Sequence, residues 1–198
     1  MDDVSLALIL AFDCSASVTY DEFGLMAGGC AAALRDPGVV AGLTLGGTEV
    51  AVLLWSGVGA QEVMVAWTRL ATEADVLAFA QAVEDVPRVV RAGATAIGEA
   101  LLVCEAMLEM LPARAARRVV DMVGDGRSNQ GAAPGPIRDR LAAAGVTING
   151  LCVLHEEPDL LASYTAEVIG GMGSFAVQCQ NYTGFADAMR QKLQREIA

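Results

Sequence analysis

Oxygen-bearing side chains follow the first apolar segment of the chain at alternate positions. Residues 6–12 are entirely apolar, and the residues after them place Asp13, Ser15 and Ser17 at every second position. Carboxylate and hydroxyl oxygens are hard donors, which hard divalent cations such as Mg²⁺ prefer to the nitrogen and sulfur donors of His and Cys. This spacing therefore predicts a cation site where a buried strand ends.

Two further oxygen side chains lie where they could join that site. Thr95 precedes a predicted helix in the segment RAGATAIGEAL, and Asp125 lies between two glycines after the predicted strand at 117–124. Few carboxylates combined with several neutral oxygens suit octahedral Mg²⁺, which keeps part of its water shell, and Mn²⁺ or Ca²⁺ could take its place. The predicted metal ligands are Asp13, Ser15, Ser17, Thr95 and Asp125.

The elements that must position these side chains alternate between strands and helices. We expect strands at 4–12, 49–55, 61–67, 117–124, 148–154 and 175–179, and helices at 20–34, 73–83, 96–111, 136–144, 158–169 and 185–197. The short segment SGVGA suits a hairpin, so the third strand is predicted to be antiparallel at an edge. This rhythm predicts a doubly wound, mostly parallel open α/β sheet of about six strands with helices on both faces. Ligands of such sheets bind beyond the carboxyl ends of the strands.

Length and composition predict a single domain over residues 1–198. A chain of 198 residues can bury most of its apolar surface without disulfides, and 54% apolar with 5% aromatic residues suits small-residue helices on a sheet. Five widely spaced cysteines without a CxxC pair indicate free thiols, not a disulfide framework or a zinc site. The formal charge of −11 would repel nucleic acid and anionic lipid, so neither is an expected partner.

The sequence contains no evident signal for export or membrane insertion. Asp2 and Asp3 stand where a secretory signal would carry Lys or Arg, and no apolar run approaches the roughly 20 residues of a membrane span. We therefore expect a cytoplasmic protein without a membrane span. An exported protein whose signal had been removed would look the same.

The pattern DxSxS, a later Thr and a later Asp-Gly resembles the metal-ion-dependent adhesion site (MIDAS) of the von Willebrand factor type A (VWA) domain. Here these elements are Asp13-Cys14-Ser15-Ala16-Ser17, Thr95 and Asp125-Gly126. The segments ALRDPGV, LLWSG, GDGRSNQG, AAAGVTINGLCV and VIGGMGSFAV are similar to an uncharacterised bacterial branch of the family. The chain departs from the pattern at Gly124, where many relatives carry Thr or Ser, and at Ala96, where many carry Asp.

The resemblance implies a Rossmann-like VWA fold and a non-enzymatic, metal-dependent protein-binding module. A cation with few charged protein ligands retains Lewis acidity, so an Asp or Glu of a protein partner would complete its coordination. The module could also be a subunit of a larger assembly that recruits substrates for a partner ATPase or chelatase. The alternative is a metal-dependent hydrolase acting on phosphoesters, although the sequence offers no Gly-rich phosphate loop and no general base with a partner.

Four residues near the strand ends are candidates for a rim that contacts the partner. They are Trp55, Arg127, Asn129 and His155, and each has a structural alternative in core packing or in a solvated loop. Helix capping is the alternative to metal binding for the first loop and for Thr95, and a turn is the alternative for Asp125. Cys14 should point away from the metal and be inert, because no His or other base accompanies it.

Overall fold

The computed structural model describes residues 3–198, so Met1 and Asp2, which bear on the expected absence of a signal, lie outside the described residues. The strands are β1 (Asp3–Asp13), β2 (Thr48–Trp55), β3 (Gln61–Leu70), β4 (Arg114–Gly124), β5 (Val146–Val153) and β6 (Ala176–Cys179). The helices are α1 (Tyr20–Leu34), α2 (Pro37–Thr44), α3 (Glu73–Glu84), α4 (Ile97–Glu109), α5 (Pro134–Ala143), α6 (Leu160–Ser163) and α7 (Phe185–Glu196). A π-helical turn (Tyr164–Val168) follows α6, and a 3₁₀ turn (Tyr182–Gly184) precedes α7.

The six strands form one sheet in the order β3-β2-β1-β4-β5-β6. Every neighbouring pair is parallel except β2 and β3, which are antiparallel at one edge. This confirms the predicted mostly parallel sheet with one antiparallel edge strand. The chain builds outward from β1 in one direction and then resumes with β4 on its other side, so the topological switch point lies between β1 and β4.

Helices cover both faces of the sheet, and each face has its own hydrophobic core. Alternate residues of β1 enter the two cores, with Leu10 and Phe12 on the side of α1, α2, α3 and α7, and Ile9 and Ala11 on the side of α4, α5 and α6. The strand is buried from Leu6 to Asp13. Burial on both faces explains why β1 lacks the polar alternation of a half-exposed strand.

Two elements differ from the sequence-based expectation. Helix α2 is not predicted, although Asp36 precedes Pro37 and its Oδ1 accepts hydrogen bonds from the N–H groups of Gly38 and Val39, the usual signature of a helix start. The helix predicted at 158–169 is instead the short α6 followed by the π-helical turn, in which Ile169 N–H donates to Tyr164 O. The spacing of apolar residues over so short a segment does not distinguish an α-helix from a π-helical turn.

The cysteines agree with the expectation of free thiols. All five cysteines are free, four of them buried and Cys179 half-buried, so none forms a disulfide. No helix between residues 3 and 198 is both long enough and apolar enough to cross a membrane.

Candidate metal centre

The loop after β1 brings three candidate ligands to the switch point. Asp13 and Ser15 are buried, and Asp13 Oδ1 accepts a 2.6 Å hydrogen bond from the backbone N–H of Ser15. The hydroxyl oxygens of Ser15 and Ser17 are 3.0 Å apart. Cys14 between them packs into the core on the α1 side of the sheet, which matches its predicted orientation away from the site.

Asp125 reaches the same place from the end of β4. Its Oδ1 accepts a 2.6 Å hydrogen bond from Ser17 Oγ, which joins two loops that are far apart in sequence. Its Oδ2 accepts a 3.3 Å hydrogen bond from Tyr182 Oη. Asp125 is fully buried, so the carboxylate is held between the first loop and the segment that leads into α7.

Thr95 is positioned by a pair of contacts with the loop after β4. Its backbone N–H donates to Asn129 Oδ1, and its carbonyl accepts from the backbone N–H of Asn129, both at 2.9 Å. The N-cap of α4 is Ala96, which makes no side-chain cap bond, so Thr95 is not the cap of that helix. Thr95 lines a pocket of about 230 Å³ together with Ser17 and Asp125.

Three of the five predicted ligands, Ser17, Thr95 and Asp125, present hard oxygen atoms to this pocket, whereas Asp13 and Ser15 are not among the residues that line it. Within residues 3–198 no three His, Cys, Asp or Glu side chains converge as metal ligands, so any cation here depends on the hydroxyl groups as well. Asp13 Oδ2 is buried and has no hydrogen-bond partner in the described part of the chain. Burial and the neighbouring Asp125 raise the pKa of Asp13 to about 7, and burial also raises the pKa of Asp125. A cation would relieve both effects, because it stabilises the charged form of each carboxyl group.

The four predicted rim residues have different surroundings. Trp55 is fully buried in the core on the α4 side, which excludes it from the rim, because its position in β2 directs its side chain under α4. Arg127 Nε is 2.9 Å from Glu157 Oε2, so its charge is already paired. Asn129 accepts a hydrogen bond from the backbone N–H of Thr95 and so holds that residue in place. His155 lies beside the site, with Nε2 3.9 Å from Asp125 Oδ2.

Two residues that carry no motif in the sequence support the loops of the site. Arg88 donates hydrogen bonds to the carbonyl oxygens of Cys14 and Ser15, at 3.2 and 3.1 Å. Tyr182, besides its bond to Asp125, stacks on Phe185 with a ring separation of 6.2 Å, which connects the site to the first residue of α7. Neither residue is adjacent in sequence to what it contacts, so no local spacing could have identified it.

Comparison with known proteins places the whole described chain in one family. A family model described as "Protein of unknown function (DUF1194)" matches residues 3–198. No curated protein matches the sequence.

Several solved structures share the fold. Proximal thread matrix protein 1 (PTMP1) from the mussel byssus, solved with a zinc-occupied MIDAS motif, has a TM-score of 0.68 and 20% identity over 96% of this chain and 48% of its own. A von Willebrand factor type A protein from Catenulispora acidiphila has a TM-score of 0.64 and 17% identity over 98% and 43%. The vWF domain of the type V pili tip protein Mfa5 from Porphyromonas gingivalis has a TM-score of 0.64 and 9% identity over 98% and 95%.

These likenesses establish the fold. The chain has the VWA fold, and it spans about half the length of the first two of these proteins. At identities of 9–20%, a shared fold does not show that this chain binds the same ligand or partner.

Proposed function

The chain belongs to the DUF1194 family and has the VWA fold, and we propose that it is a single-domain, metal-dependent protein-binding module. The observation that carries this proposal is the meeting of Ser15, Ser17 and Asp125 through oxygen–oxygen distances of 3.0 and 2.6 Å at the switch point of the sheet. The proposed ligands of the cation are Asp13, Ser15, Ser17, Thr95 and Asp125. Mg²⁺ suits this oxygen set best, and the zinc-occupied motif of PTMP1 supports a divalent cation in general.

When bound, the cation would offer Lewis acidity to an outside carboxylate. The chain's own groups orient the ligands: Ser15 N–H holds Asp13, Tyr182 holds Asp125, and Asn129 holds Thr95. The hydroxyl ligands are neutral and so add no negative charge to the site. An Asp or Glu of a protein partner is therefore the group that we propose completes the coordination.

Acidic side chains around the pocket narrow the class of partner. Glu156 and Glu157 line the pocket, and the side chain of Glu156 is 56% exposed. Glu157 is already paired with Arg127, whereas Glu156 contacts only a histidine, with its Oε1 3.3 Å from His155 Nε2, so its charge is not balanced while that imidazole is neutral. A partner acid would be repelled by this charge unless Lys or Arg residues accompanied it. We therefore propose a partner segment in which an acidic residue is flanked by basic ones.

The descriptions of the structural neighbours bear on location and on the reaction class. They name a matrix protein of the mussel byssus and a pili tip protein, which supports the exported alternative and a role in an assembly more than a cytoplasmic location. They name proteins of matrix and pili, not hydrolases, and no observation within residues 3–198 specifically favours the phosphoester hydrolase.

Removing the Thr95 hydroxyl tests the cation site. We expect Thr95→Val to weaken Mg²⁺ binding at least about tenfold, because loss of even an indirect metal contact costs this much. The measurement is titration calorimetry of the wild type and the variant with Mg²⁺. Thr44→Val in α2, whose hydroxyl bonds the carbonyls of Val40 and Ala41 within its own helix, is the matched control and should bind like the wild type. If all three proteins bound Mg²⁺ equally well, or if the wild type did not bind it, the proposed cation site would be wrong.

Capture of a synthetic peptide tests the partner class. A peptide carrying one Asp between Lys residues should bind the immobilised protein in Mg²⁺ and be released by EDTA. The same peptide with Asn in place of Asp is the matched control and should not bind. Binding that persists in EDTA would show that the metal does not mediate the contact.

A further inference from the structure

The side chain of Tyr164 fills the space beside Gly124, the residue that precedes the metal-site aspartate of β4. A Cβ atom at Gly124 would lie 2.7 Å from Tyr164 Oη and 3.0 Å from Asp13 Oδ2. Both oxygens are fully buried, and within residues 3–198 neither has a hydrogen-bond partner. A phenol donor and a carboxylate acceptor therefore flank the same point in the protein interior.

Two glycines on neighbouring strands make room for the tyrosine ring. Besides Gly124 in β4, Gly150 in β5 lies under the ring, since a Cβ atom there would be 2.9 Å from Tyr164 Cδ1. The ring packs in the core between the sheet and the helices α4, α5 and α6. Tyr164 begins the π-helical turn, a local irregularity that is frequent at functional sites.

We propose that Tyr164 is the positioning residue of Asp13: its hydroxyl donates a hydrogen bond to Asp13 Oδ2, directly or through one water molecule. Leaving two such groups buried side by side and unpaired is costly, and small rotations about the side-chain bonds bring a donor and an acceptor together. Burial keeps the phenol protonated, because it raises the pKa of Tyr164 well above its ordinary value. Ser15 N–H already holds Oδ1, so a bond to Oδ2 fixes the plane of the carboxylate. The inference rests on the proposed cation site, in which Asp13 is a ligand.

A double-mutant cycle between positions 164 and 124 tests this role. Tyr164→Phe keeps the ring and removes the hydroxyl, so we expect Mg²⁺ to bind about tenfold more weakly, as on loss of a group that orients a ligand. Gly124→Ser alone should also weaken binding, because its Cβ would meet Tyr164 Oη at 2.7 Å. In the double variant the conflict with Oη is gone, and the remaining 3.0 Å approach of the new Cβ atom to Asp13 Oδ2 requires a shift of only a few tenths of an ångström. We expect the serine hydroxyl then to replace the phenol as the donor to Asp13. The double variant should therefore regain most of the affinity that Tyr164→Phe loses.

The readouts separate this inference from the cation site itself. Mg²⁺ affinity is measured by calorimetry, and Tyr20→Phe, which changes a phenol that is 75% exposed, is the matched control. If the wild type binds Mg²⁺ and Tyr164→Phe binds it equally well, or if the serine fails to restore binding, the positioning role is wrong while the cation site stands. If the wild type does not bind Mg²⁺, the cation site is wrong. Urea unfolding in EDTA then tests the contact between Tyr164 and Asp13 without the metal. Tyr164→Phe should lower the free energy of unfolding when it is made in the wild type, and should leave it unchanged when it is made in the Asp13→Ala variant.

Discussion

Replacing Lys192 with Met is expected to lower the free energy of unfolding by about 3–5 kcal/mol, because it removes the cation from a buried charged cluster. Lys192 is the only lysine of the sequence, and it is fully buried in α7. Its Nζ forms an ion pair with Asp121 of β4 and lies 2.8 Å from Glu196 Oε2. Both carboxyl groups are buried as well, so the variant would leave them without a compensating charge.

The cluster also ties α7 to the middle of the sheet. Asn149 of β5 donates to Glu196 Oε1, and its Oδ1 accepts a 2.8 Å hydrogen bond from Phe175 N–H. Burial and the neighbouring Glu196 raise the pKa of Asp121. Burial alone would lower the pKa of Lys192, but the two carboxyl groups raise it overall, so the amine stays charged. The packing of α7 against β4 and β5 thus depends on one buried ammonium group.

Equilibrium unfolding in urea measures the effect, with Arg190→Met as the matched control. Arg190 lies on the same helix, its side chain is 39% exposed, and its substitution should change the free energy of unfolding by less than about 0.5 kcal/mol. Combining Lys192→Met with Asp121→Asn and Glu196→Gln should recover part of the loss, because it removes the uncompensated charges. A loss below about 1 kcal/mol for Lys192→Met would contradict a buried cluster of this kind.

In the metal-free protein, raising the pH from 4 to 7 is expected to lower the free energy of unfolding by about 3 kcal/mol through Asp13 alone. Burial and Asp125 raise the pKa of Asp13 from its ordinary 3.8 to about 7 in the folded state. Between these two values the folded protein holds a proton that the unfolded chain has lost. The stabilisation is therefore complete below the unfolded pKa and disappears as the pH rises through the folded pKa. Asp13→Asn should remove this difference between pH 4 and pH 7.

Mg²⁺ affinity should show the opposite dependence on pH. A metal ligand must be deprotonated, so affinity should fall about tenfold for each pH unit below 7 as the proton competes for Asp13. Calorimetry with Mg²⁺ between pH 5.5 and pH 8, together with urea unfolding in EDTA, measures both trends. Asp187→Asn, which changes an exposed carboxyl group in α7, is the control and should follow the wild type. Affinity that is independent of pH, or metal-free stability that rises from pH 4 to pH 7 relative to Asp13→Asn, would exclude Asp13 as a titrating ligand.

Much of the fold is readable from local patterns in the chain. The unbroken apolar segment of β1 indicates a strand covered on both faces, and the alternation of such segments with helical ones indicates crossovers in a parallel sheet. Helix α2 is missed by the hydrophobic pattern, although Asp36 and Pro37 form a helix start signal from which it could have been predicted. Patterns of this kind extend over a few consecutive residues, because they arise from the local backbone geometry and from which side of an element is buried.

The sequence by itself determined the class of fold, the order of the elements and the chemistry of the side chains that follow β1 and β4. The tertiary structure alone decided that Trp55 is buried under α4, that Glu157 neutralises Arg127, and that the side chains of Tyr164 and Asp13 both approach Gly124. It alone brought Lys192 to Asp121 as well. The physical reason is that these contacts join groups on separate elements, where packing sets each distance, and local spacing in the sequence carries no information about which distant group will lie opposite.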